Sequence, residues 1–147
     1  MSDRYIVNVE AVIVRDGRYL MVVRSDDESH APGILSVPGG KVEQPGTTAS
    51  ILEETVRREI REEVAVEVED ELIYIESKSF VTDDGDPVID IVFLCRYRSG
   101  EPVAMDSQEV VALAWMTSDE VFAHPKTPPW TRQSIEVAEI RRENLGW

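Results

Sequence analysis

The segment Arg58-Glu59-Ile60-Arg61-Glu62-Glu63 carries three carboxylates and two guanidinium groups in close succession. On a helix of about 3.6 residues per turn, Glu59 lies i,i+4 from Glu63 and i,i+3 from Glu62, so the three acids are expected to point roughly the same way. Their mutual repulsion calls for a cation, and such a group can hold a divalent ion against a phosphate chain. An all-oxygen ligand set favours magnesium, or manganese, over zinc. The two histidines, His30 and His124, are far apart in the sequence and lend zinc little support. Taken alone, a Glu-rich helix with interleaved Arg is an ordinary solvated face with pairs such as Arg58 and Glu62. What sets this one apart is the stretch before it. The apolar Ile34-Leu35-Ser36-Val37 runs into Pro38-Gly39-Gly40 and then Lys41-Val42-Glu43. That segment reads as a loop whose glycines let backbone approach a ligand or present a carbonyl to a metal.

The acids need a fixed platform. Leu52, Val56, Ile60 and Val64 recur every fourth residue, an apolar stripe that would dock a helix over 51–64 on a core and leave the carboxylates at its margin. Ser50 followed by Glu53 reads as a capping box at the start of that helix, with Gly46-Thr47-Thr48 as loop before it.

Together, GGKVE and the later REIREEVAV of residues 58–66 resemble the Nudix box. Its usual form is Gly, five residues, Glu, seven residues, then Arg-Glu-U-x-Glu-Glu-x-Gly-U, with U a bulky aliphatic. Arg58, Glu59, Ile60, Glu62, Glu63 and Val66 occupy the matching places, while Ala65 stands where the family has Gly. The first half departs further. The lone Glu of the box falls on Ser50, and Gly40 lies ten positions before it rather than six, a lengthening of four residues. Loop closure entropy grows only logarithmically with length, so this reads as a local variation within the same fold.

The resemblance implies one Nudix-like domain over 1–147, an α/β fold with an α/β/α sandwich around a mixed sheet. It implies a hydrolase that cleaves the pyrophosphate bond of a nucleoside diphosphate linked to a further group, a nucleoside triphosphate being the simplest case. Glu59, Glu62 and Glu63, with the Gly40 carbonyl, would ligate magnesium, and Arg58 would orient the glutamates. Family members differ in which carboxylate is the base, and Glu109, just before the strand carrying Trp115, is a candidate beside the box acids. Arg24, Gly39, Gly40 and Lys41 are the candidate substrate contacts. Ser50 in place of Glu, with the longer loop, keeps a second reading open: a nucleotide or sugar-nucleotide sensor with little or no turnover.

Composition agrees with one domain. The chain has 147 residues, 42% of them hydrophobic and 30% charged, enough for a sizeable core. The net charge of -14 argues against a nucleic-acid polymer as partner. It leaves room for a small nucleotide that arrives with its metal. No apolar run approaches the roughly 20 residues of a membrane helix, and Met1-Ser2-Asp3-Arg4 does not open a secretory signal, so a cytoplasmic location is expected and a membrane is not. A homodimer is left open. Cys95, the only cysteine, sits in an apolar run as a buried residue would.

Strands are expected over 5–14 and 19–23 around Asp16-Gly17, over 66–80 and 87–97 around Asp83-Asp84-Gly85-Asp86, and over 110–116. Residues 24–33 read as an exposed loop. The aspartate run lacks EF-hand spacing, since Ile91 stands where the bidentate Glu would be. A short helix starts at Ser118, and another spans 130–144, with Pro129 at its first turn and Gly146 at its end. Trp115 reads as core, whereas Tyr74, Phe80, Trp130 and Trp147 can serve either packing or a nucleobase.

Overall fold

The computed structural model describes residues 4–25, 33–43, 46–106 and 108–147; His30 lies outside them. The β-branched N-terminal run forms β1 (Ile6–Arg15), turns at Asp16-Gly17 with φ of 50° and 76°, and returns as β2 (Arg18–Arg24). Then come β3 (Leu35–Ser36), β4 (Gly39–Lys41), the helix α1 (Ile51–Val64), and the long hairpin of β5 (Glu67–Val81) and β6 (Pro87–Ser99). β7 (Val110–Met116), α2 (Ser118–Ala123) and α3 (Pro129–Leu145) complete the order.

The sheet runs β3-β2-β1-β6-β5, with β4 paired to β1 and β7 to β2. β1 and β6 are parallel; the other pairings are antiparallel, so the sheet is mixed. Strand alternation divides β1 between two cores. Val9, Ala11 and Ile13 pack with Val56, Ile60 and Val64 of α1, whereas Val12 and Val14 pack with Ile135 and Ala138 of α3. The result is the expected α/β/α sandwich. Each fully buried Val or Ile contributes about 1.5–3 kcal/mol relative to exposure, so the stripe on α1 is ample to hold that helix in place. Among the described residues no helix is long and apolar enough to cross a membrane.

Two local expectations fail for clear reasons. Residues 39–41, expected as loop, are a short strand in register with β1, pairing Glu10 with Gly39 and Val9 with Gly40. Glycine makes this close approach feasible, because a Cβ at Gly39 would run into the Val9 carbonyl and lie 3.1 Å from Cγ of Glu10. Ser50 does cap α1 in position but not through its side chain. It adopts left-handed φ/ψ of 56° and 38°, while a side-chain N-cap needs extended backbone, and only its carbonyl bonds into the helix, to Glu54 N at 3.0 Å. The capping box lies instead at α2, where Thr117 and Glu120 satisfy each other's backbone.

Candidate functional site

β4 and α1 meet edge to edge, and the two glutamates on the inner side of α1 point at the two glycines. The space beside Gly40 is filled by the Glu59 carboxylate so closely that a Cβ there would fall inside it. One turn along, the Gly39 N–H donates to Oε2 of Glu63 at 3.3 Å, whereas Oε1 of Glu63 is buried with no hydrogen-bond partner. An orphaned carboxylate oxygen in a buried position is costly unless something pairs with it. Burial pushes the Glu63 carboxyl up to about 7, opposed by the Gly39 N–H and the nearby Arg24 charge and reinforced by Glu59 and Glu109. Glu59 is also raised, again by burial, with Arg58 opposing and Glu62 and Glu43 adding to it.

Arg58 ties the two elements together. Its Nη2 donates to the Lys41 carbonyl at 3.0 Å and to Oε1 of Glu59 at 3.0 Å. Glu62 departs from the expected convergence. Its side chain is 65% exposed and stands 3.9 Å from Nε of Arg58, so it lines the rim while Glu59 and Glu63 face the glycines. Among the described residues no group of three His, Cys, Asp or Glu side chains is already gathered at metal-holding distance.

The remaining expected site residues arrive from distant parts of the chain. Arg24 ends β2 and is paired with Val110 of β7, and the Ser25 N–H donates to the Glu109 carbonyl at 2.8 Å. The β2–β7 ladder thus brings Arg24 and Glu109 to the same edge, where both act on Glu63. Lys41 is exposed, and its role in the fold is the carbonyl held by Arg58. Trp115 packs edge-on against Tyr97 with ring centroids 5.6 Å apart, and both are partly buried against the core beneath α1. Cys95 is fully buried, and burial pushes its thiol up to about 12.

Several polar residues near this edge escaped the sequence reading. Glu43, part of the GGKVE run, acts on Glu59 from the far end of the glycine segment. On the opposite face of β1, Asn8 Nδ2 donates to Asp90 at 2.8 Å, and Lys78 Nζ lies 3.9 Å from Glu10 and 3.4 Å from Glu76. An acid inside an otherwise apolar strand, as Glu10 is in IVNVEAVIV and Asp90 in PVIDIVF, is the signal that marks them.

The donor set fits a hard divalent cation on three observations. Every candidate ligand is an oxygen, the Glu63 Oε1 is buried without a partner, and Gly40 lets the Glu59 carboxylate lie against the backbone where any side chain would displace it.

Comparison with known proteins gives a consistent answer. A family model described as NUDIX domain matches residues 4–137. The crystal structure of a MutT NUDIX hydrolase from Burkholderia pseudomallei superposes with a TM-score of 0.77 at 28% identity, covering 92% of this chain and 98% of that one. The MutT protein from Methanosarcina mazei Go1 superposes with a TM-score of 0.75 at 26% identity, covering 98% of each chain. The NUDIX domain of Shewanella oneidensis NrtR, solved with ADP ribose, shares the fold at 20% identity and a TM-score of 0.70, over 98% of this chain and 90% of that one. Comparison with curated proteins gave no match.

Proposed function

The chain belongs to the NUDIX family, and from that premise we propose that it is a metal-dependent pyrophosphohydrolase acting on a nucleoside diphosphate linked to a further group, in the simplest case a nucleoside triphosphate cut to monophosphate and pyrophosphate. The observation that supports this most is the Glu63 carboxylate, one oxygen held by the Gly39 N–H and the other buried and unpartnered beside the Gly40–Glu59 contact. Glu59, Glu62, Glu63 and the Gly40 carbonyl are the groups that would hold magnesium, or manganese. When bound, such an ion neutralises charge on the phosphate oxygens and acidifies water.

The protein's own groups account for the rest. Arg58 holds Glu59 against β4, so that carboxylate is positioned before substrate arrives. Arg24, at the end of β2, places positive charge near Glu63 and suits a phosphate oxygen. Lys41, exposed on β4, suits another. Glu63 faces the glycine strand from α1, and Glu109 approaches the same point from the β2–β7 edge. Either can serve as the base that orients and deprotonates the attacking water. The anhydride bond breaks as the new P–O bond forms, and the departing phosphate carries the electron pair.

The test is a panel of nucleoside triphosphates and nucleotide sugars incubated with magnesium, scoring phosphate and pyrophosphate release by the wild type beside Glu63→Gln. The expected result is turnover that requires the metal and falls by about 100-fold or more in the variant, the scale of losing one electrostatic contributor. Equal rates in the two proteins would overturn the assignment. One observation favours the alternative of a sensor: Ser50 stands where the box has Glu. Nucleotide binding by both proteins without turnover by either would establish that reading in place of the first.

A further inference from the structure

α3 has a second face, beside the one it turns to the sheet. Thr131, Ser134, Ile135 and Ala138 are buried against the strands. Gln133, Glu136, Val137, Ile140, Arg141 and Asn144 recur at i, i+3, i+4, i+7, i+8 and i+11, so they form one stripe along the helix. The Gln133 amide donates to Glu76 at 3.3 Å, which sets this stripe on the β5 side. β5 answers with a bulge. Ile75 is the extra residue between Tyr74 and Glu76, and it joins Val137, Ile140, Arg141 and Asn144 in lining a groove of about 250 Å³ between strand and helix. Ile140, at its mouth, is 63% exposed.

One exposed isoleucine is ordinary; a stripe that is its own complement is not. When two copies of α3 lie antiparallel about a two-fold axis midway between Val137 and Ile140, Val137 faces Ile140 of the second copy, Glu136 faces its Arg141, and Gln133 faces its Asn144. Apolar meets apolar, acid meets base, and amide meets amide. A parallel pairing would instead set Arg141 on Arg141 and Glu136 on Glu136, which like charge disfavours. Arg141 is also the cation left over. Arg132 and Arg142 pair with Glu136 and Glu139 on the same helix, whereas Arg141 makes no hydrogen bond or ion pair among the described residues. Arg132 takes Oε1 of Glu136 at 3.0 Å, and the second carboxylate oxygen can accept from another donor. The charge of the whole chain narrows the choice of surface further. Copies carrying -14 each repel, so a contact between them belongs where the local charge cancels, as it does on a stripe with one acid and one base.

We infer that two copies of this chain associate through α3, antiparallel about a two-fold axis, with Ile140 of each copy at the other's groove and Arg141 of each paired with Glu136 of the other. The inference goes beyond the hydrolase reading and stands without it, because α3 and the carboxylates of α1 lie on opposite faces of the sheet. A single pair of helices is a small interface, so the association is weak and concentration-dependent.

Sedimentation velocity over about 1–500 μM protein, at physiological ionic strength, tests this. The wild type should pass from monomer to dimer within that range. Ile140→Asp should raise the dimer Kd by about 30-fold or more, since each copy then buries a charge against an apolar wall. Arg141→Glu and Glu136→Arg should each raise it by about tenfold or more, because each sets like charges together twice. An equimolar mixture of those two variants should dimerise within about threefold of wild type, because in the mixed pair every acid again faces a base. The substituted side chains are exposed, and thermal melts matching the wild type confirm that each variant is folded. A wild type that stays monomeric throughout would overturn the inference, as would association insensitive to Ile140→Asp or a mixture no better than its two components. A monomeric wild type that binds neutral phosphatidylcholine vesicles, with Ile140→Asp abolishing the binding, would give the groove to a lipid surface and overturn it equally.

Discussion

Gly40 and the Glu59 carboxylate occupy adjoining space with no room for a methyl group between them. The obstructing atoms belong to the end of a flexible side chain, so Gly40→Ala can be accommodated by swinging Glu59 aside, and folding stability should fall by no more than about 1–2 kcal/mol. Activity should suffer far more, since a displacement on the order of 1 Å in a positioned group costs about 100-fold. Thermal melts and steady-state rates on the same preparation separate the two effects. A variant that keeps its rate, or loses stability and rate in proportion, would show that the contact is only packing.

Glu63 makes the stability of the metal-free protein depend on pH in an unusual sense. Its folded-state value of about 7 stands above the roughly 4.3 of an unfolded glutamate, so the native state holds a proton that the unfolded chain releases between those values. The contribution is fully present below about pH 4.3 and is lost as the pH rises through about 7, with a ceiling of about 4 kcal/mol at 1.36 kcal/mol per unit. Glu10, raised by its own burial, acts in the same direction. With chelator present, Tm should therefore decline between pH 5 and 7.5, and the decline should be shallower in Glu63→Gln, which cannot titrate. Parallel Tm profiles for the two proteins would refute the assigned shift.

The parts of this architecture that announced themselves were those governed by short-range periodicity. Val56, Ile60 and Val64 recur at helical spacing and are all buried on one side of α1, so the platform was legible, as was the turn at Asp16-Gly17. The approach of Arg24 and Glu109 to Glu63 depends on β2 pairing with β7, a long-range register that local pattern does not reveal. The outward turn of Glu62 was likewise hidden, because helical spacing gives direction to within a third of a turn but not whether an arginine draws a side chain to the rim. The Asn8–Asp90–Lys78 row was missed because its three members lie on three strands, and each alone reads as an isolated polar residue.

Ala65 closes α1 in the left-handed region with φ of 62°, and its N–H reaches the carbonyls of Ile60 and Arg61 at 3.1 Å each. An L-residue with a Cβ is strained there by roughly 1–2 kcal/mol, part of which glycine gives back as extra freedom of the unfolded chain. Ala65→Gly should stabilise the protein by about 1 kcal/mol, or about 2–4 °C in Tm, with little change in rate. The box places Gly here for this backbone reason, so a lower Tm in the variant would mean that packing of the Ala65 methyl outweighs the strain.

Arg58 is a positioning residue whose removal should be felt through metal affinity. One nitrogen, Nη2, links the Lys41 carbonyl of β4 to Oε1 of Glu59 on α1, and the side chain is only 29% exposed. Arg58→Ala frees Glu59 from β4, and loss of a hydrogen-bonded support behind a ligand typically weakens metal binding by about 10–100-fold. The magnesium concentration for half-maximal rate should rise by about that factor, while saturating metal restores most of kcat. Arg58→Lys should recover only part of the effect, because a compact ammonium on a shorter reach cannot reproduce the planar fork. A kcat that stays depressed at saturating metal would instead place Arg58 in contact with the phosphates, and a magnesium dependence equal to that of the wild type would remove it from the positioning role altogether.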